Sequence, residues 1–149
     1  MSIWGCSMKF RLFLLSFATL IASCQTSSEP IAFGGNTIIF YDGKHGIQVE
    51  YYSASGRSHL WYPGNDRSIP GRWRLRSDRN EVCFKLPSNV YNPVTNKQLG
   101  SWDCKSLDRL KRNVRSSCSG DPFRLAGGKI PFVLEKGRGQ LGELKKTCS

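Results

Sequence analysis

The residues of this sequence best suited to chemistry are its arginines. GRWRLR, residues 71–76, alternates Arg72, Arg74 and Arg76 with Trp73 and Leu75. In an extended strand successive side chains point to opposite faces, so three guanidinium groups share one face and two apolar groups the other. Guanidinium forks match phosphate and carboxylate oxygens two at a time, so the chemistry on offer is anion recognition. Arg57 and Arg67 extend the patch if the chain folds back beside it, and Trp61 or Tyr62 would add a stacking platform for a sugar or a base. The competing reading is a solvated outer face over a buried Trp73, the ordinary pattern of a half-buried antiparallel strand.

Catalytic groups are sparse. The two histidines, His45 and His59, fall in a turn and in a strand, and Asp42, Glu50 and Asp66 are scattered. There is no G-x-S-x-G and no H-E-x-x-H. The glycine-rich run 136–139 lacks the P-loop pattern and a preceding parallel strand. No catalytic residue, cofactor or metal is therefore assigned, and an enzyme is not the favoured reading. Nor does any recognised nucleic-acid motif accompany the positive charge.

The elements that would position the arginines are strands. TIIFY (37–41), IQVEYY (47–52), residues 57–62, GRWRLR and EVCFKL (81–86) are short, β-branched or aromatic runs separated by turn residues. Within IQVEYY, Ile47, Val49 and Tyr51 share one face, and Gln48, Glu50 and Tyr52 the other. No βαβ alternation occurs, which excludes a doubly wound parallel sheet. Residues 106–116, with Leu107, Leu110 and Val114 at helical spacing, predict a short basic helix or helical loop; GDPFRL and KIPFVLEK predict two more short strands. The expected fold is mainly β: an antiparallel meander forming a small barrel or curved sheet, with one short helix.

The N-terminal segment predicts an address. Lys9 and Arg11 precede an apolar run, residues 12–21, shorter than the roughly 20 residues of a spanning helix. Leu20-Ile21-Ala22-Ser23-Cys24 resembles the lipobox of bacterial lipoproteins, which implies that Cys24 becomes the acylated N-terminus. Gln25 in place of Asp favours the outer over the inner membrane, and QTSSEP (25–30) reads as a tether. The expected layout is a signal over 1–23, a lipidated end and tether over 24–35, and one disulfide-stabilised β domain over 36–149. The chain holds 22 Lys+Arg against 11 Asp+Glu. Such an excess selects anionic partners rather than a fold. The expected partners are a membrane, through the lipid on Cys24, and an anionic lipid or polysaccharide of the envelope.

That compartment is oxidising, and Cys83, Cys104, Cys118 and Cys148 remain as an even set. Three pairings are open; Cys83–Cys104 with Cys118–Cys148 is preferred because each joins neighbouring segments. A zinc site would need closer spacing, and no C-x-x-C occurs.

Tyr51, Gly56-Arg57, Trp61-Tyr62-Pro63-Gly64, Gly71-Arg72-Trp73, Cys83-Phe84, Tyr91-Asn92-Pro93 and Trp102-Asp103-Cys104 follow one another in order. This series resembles a family of small uncharacterised bacterial exported proteins and lipoproteins, over about residues 42–104. The resemblance implies no activity; it favours the Cys83–Cys104 pair. SASGRSHLW (53–61) is also similar to a loop of the periplasmic lysozyme inhibitors, with Ser55-Gly56 as the contact. That alternative sits badly with the charge, because C-type lysozymes are themselves basic and like charge slows encounter.

Overall fold

The computed structural model describes residues 31–92 and 94–148. The expected signal, the acylated Cys24 and residues 24–30 of the tether lie outside the described residues. Nine strands and two short helices are described: β1 (Asn36–Asp42), β2 (Gly46–Tyr52), β3 (Arg57–Trp61), β4 (Ile69–Arg76), β5 (Glu81–Lys85), β6 (Tyr91–Asn92), β7 (Lys97–Gln98), β8 (Asp103–Ser106), α1 (Leu107–Lys111), β9 (Val114–Ser119) and α2 (Leu141–Thr147).

Seven of the strands form one antiparallel sheet in the order β8-β5-β4-β3-β2-β1-β9, while β6 and β7 make a separate hairpin. The run β1 to β5 is the expected meander. Its curvature follows from chain reach. In a flat sheet, six spacings of about 4.8 Å would put the β8 and β9 edges about 29 Å apart. Only residues 107–113 join those edges, and five of them are helical. Such a segment spans roughly 18 Å at most. The sheet therefore curls into a half-barrel, and α1 bridges its open side. Asn80, at φ 51°, accepts the Leu107 amide on its backbone carbonyl at 2.9 Å and fixes the start of that bridge.

Both faces of the central strands are buried. Inside the curl, Phe33, Ile38, Phe40, Tyr52 and Val82 form one core, with Trp73, Phe84, Leu107 and Leu110 packed against it. On the outer face of β1–β3, Ile39, Ile47, Val49 and Trp61 form a second core with Phe123, Leu125, Leu134 and Leu144. Phe33 and Ile31, in the stretch expected as tether, belong to the first core, and Gly35 is hydrogen-bonded to Tyr52 and Gly120.

The C-terminal third departs from the sequence expectation. GDPFRL and KIPFVLEK form no strand; they run irregularly across the outer face, with a 3-10 turn at Leu125–Gly127. Their apolar residues enter the second core without a ladder. Single bonds hold them, such as Ser68 Oγ donating to the Leu125 carbonyl at 2.6 Å. The helix expected over 106–116 stops at Lys111, and Val114 opens β9, because β1 pairs there and satisfies the backbone of 114–119. Disulfides join Cys83 to Cys104 and Cys118 to Cys148. The second ties α2 to β9 and clamps the segment over the outer core.

A candidate anion-binding face

The C-terminal segment covers only the β1–β3 half of the outer face. The β4–β5–β8 half stays open, together with the start of β3 at Arg57, and Arg57, Arg72, Arg74 and Arg76 lie there. Cross-strand register builds the site. Arg57 stands directly opposite Arg72, and Arg72 directly opposite Lys85. Residues paired in this way share a face, so three adjacent strands present three exposed cations in one row. Among the described residues, none of the ion pairs involves this row.

The other arginines are differently engaged. Arg74 lies in the next row, its guanidinium carbon 4.2 Å from the centre of the Trp102 ring, a cation–π contact. Arg76 Nη1 is 3.8 Å from Glu81 Oε2, so its charge is already compensated. Arg67 does not join the patch. It sits in the β3–β4 connection beside Asp66 at 3.3 Å, beyond the far end of β3 from Arg57, about 13 Å of strand away.

Trp61 provides no stacking platform: it is fully buried, ringed by Phe123 and Phe132. It also points outward, on the same sheet face as Arg57, whereas Trp73 points inward, with its ring against Phe33 and Tyr52. The aromatic group beside the cations is Trp102, which the strand pattern did not single out. Lys85 was equally overlooked; the signal was its parity with Cys83 in EVCFKL.

His59 lies on the outer face, its ring stacked on Tyr51. Burial lowers its basicity, and Arg57 adds to this while Asp121 opposes it. His45 is remote from it, hydrogen-bonded through Nδ1 to Tyr62 Oη at 2.9 Å. Ser55 and Gly56 form the β2–β3 turn, where the Gly56 carbonyl accepts the Trp73 amide. Glu81 lies near the sulfurs of Cys83 and Cys104, but those sulfurs are bonded to one another and offer a metal no thiolate.

Inside the curl the structure reveals an acid that the sequence left among scattered carboxylates. Glu50 is buried, and Tyr52 Oη donates to its Oε2 at 2.7 Å. Burial raises the Glu50 carboxyl above its ordinary range, partly offset by Tyr52 and Ser58. Tyr52 is itself pushed well up, by burial and then by Glu50's charge. The clue lay in IQVEYY: both faces carry apolar or aromatic residues, so a strand covered on both sides must bury its acid. No family model, curated protein or solved structure matches the chain.

Proposed function

We propose that the protein is a non-enzymatic envelope lipoprotein that binds anionic groups through the open half of its outer sheet face. Arg57, Arg72 and Lys85 make the primary contacts, and Arg74 on Trp102 flanks them. One observation carries this reading: three like charges aligned across adjacent strands and, among the described residues, in none of the ion pairs. Like charges directly opposite weaken a sheet, and an external phosphate or carboxylate relieves the repulsion. Acylation at Cys24 would hold the domain at a membrane facing the periplasm, where lipid phosphates and acidic saccharides are the nearest anions. Gln25 supports the outer membrane as that surface.

The test is vesicle binding by a form lacking residues 1–30, so that affinity reports the sheet face alone. A basic residue near an anionic bilayer contributes about 1 kcal/mol, so Arg57→Ala with Arg72→Ala should weaken binding to anionic vesicles roughly thirtyfold. Salt should weaken the parent similarly, because exposed charges are screened. Arg67→Ala should change binding little. Equal binding to neutral vesicles, or an Arg67 effect as large as that of the row, would refute the assignment.

A further inference from the structure

The curl of the sheet leaves a half-open cavity of about 750 Å³ on its inner face, between the strands, residues 86–92 and 95–101, and α1. That size falls within the range of small-molecule pockets. Apolar side chains make up most of its wall area, among them Phe40, Leu60, Ile69, Phe84 and Leu110, while polar groups such as Gln48 and Asn113 interrupt them. Glu50 lines it as well, although the residue is only 8% exposed. A carboxyl group has about four acceptor positions, and Tyr52 Oη is its one well-aligned donor. The Ser58 hydroxyl lies beside the carboxyl without an aligned hydrogen bond. Glu50 thus keeps acceptor capacity that Tyr52 does not use, and it lines the cavity.

We propose that this cavity binds a neutral, largely apolar organic molecule whose one hydrogen-bonding group meets the Glu50 carboxyl. The walls set the apolar character and Glu50 sets the position of the polar group. Charge sets the neutrality. Exposed Lys44, Lys105 and Arg109 line the cavity and repel a cation. Asp103 compensates Lys105 at 2.8 Å and Asp42 offsets one further cation, which still leaves an excess of positive charge at the rim. An anion that passed these cations would meet Glu50 inside. Such a site is independent of the outer cationic row, which lies on the opposite face of the sheet.

The experiment titrates purified full-length protein with N-phenyl-1-naphthylamine, a neutral fluorophore with one N–H donor. One-to-one saturable binding with a fluorescence rise is expected. Ile69→Trp, which places an indole in the cavity on the cross-strand row of Leu60 and Glu50 and so obstructs the place of the polar group, should weaken binding at least tenfold while keeping a cooperative thermal transition, and it serves as the blank for probe taken up elsewhere. Leu60→Trp, next to Glu50 in the same row, is the second variant of this kind should Ile69→Trp not fold. In the parent, 1-benzylnaphthalene, which lacks the N–H, should bind several-fold more weakly; Glu50→Leu should abolish that difference. Arg57→Ala with Arg72→Ala should leave probe affinity unchanged. Binding indifferent to both tryptophan variants overturns the site. Tighter binding of 1-naphthylmethylammonium or of anilinonaphthalene sulfonate than of the neutral probe overturns its ligand class.

Discussion

At the scale of single residues, side-chain alternation fixes which face a residue takes, and register fixes which residues meet. The alternation of Arg72, Arg74 and Arg76 against Trp73 and Leu75 was legible, and the face assignment holds. What the alternation lacks is the alignment of neighbouring strands, so Lys85 and Trp102 were invisible as partners while Arg67 looked equivalent to Arg72. Glu50 shows the same gap from the other side, since its burial depends on what covers each face of β2. Its raised carboxyl gives a signed prediction. The unfolded chain ionises near the ordinary value of 4.5, and the folded chain only at higher pH. Between those values the unfolded state has released its proton while the folded state retains it, so stability falls as pH rises. Above the folded value the penalty is constant, and below about 4.5 it vanishes. Glu50→Gln removes this contribution, so the variant should gain stability relative to the parent as pH rises from about 4 to 8. Urea midpoints of both proteins at several pH values measure it. The other titrating groups are common to both and cancel in the difference; a constant offset would mean that Glu50 ionises as in water.

At the scale of elements, β1 to β5 were readable because they are long enough to alternate and are bounded by turn residues. DCKS of β8 and VRSSCS of β9 were not, because each is a polar edge strand with no fully buried side chain. Pairing with β5 and β1 makes them strands, not their own pattern. GDPFRL and KIPFVLEK misled in the opposite sense: Phe123, Leu125 and Leu134 look like strand residues but cover the outer core from an irregular path. What holds that path down is α2, through Leu144 and the Cys118–Cys148 bond. A bridge closing a loop of this size typically contributes about 3 kcal/mol. Cys118→Ser with Cys148→Ser should therefore lower stability by about that amount. It should also expose Lys136 and Arg138 to trypsin much faster than the parent. Mass spectrometry of early fragments reads the order of cleavage. First cuts within β1–β5 would show that the clamp on the C-terminal segment lies elsewhere.

At the scale of the whole molecule, the two cores are not independent units. They share β1 and β2, which insert alternate residues into each: Ile38 and Phe40 inward with Ile39 outward, and Tyr52 inward with Ile47 and Val49 outward. Loss of the C-terminal cover bares one face of those strands, and loss of the inner core removes their support from the other. α1 couples them again, because it joins the two sheet edges and contributes Leu107 and Leu110 to the inner core. A chain so interlocked should unfold in one cooperative step, and two tryptophans report the two halves separately. Trp61 sits fully buried in the outer core, while Trp73 packs on Phe33 and Tyr52 in the inner one. In a form that lacks residues 1–30 and carries Trp102→Phe, Trp61→Phe leaves Trp73 to follow the inner core, and Trp73→Phe leaves Trp61 to follow the outer. Each variant will differ in absolute stability, since each trims a packed ring. Within each variant, however, the fluorescence and far-UV circular dichroism midpoints in urea should coincide. An outer core that melted first would separate them in Trp73→Phe alone, and the half-barrel would then be a unit stable without its C-terminal cover.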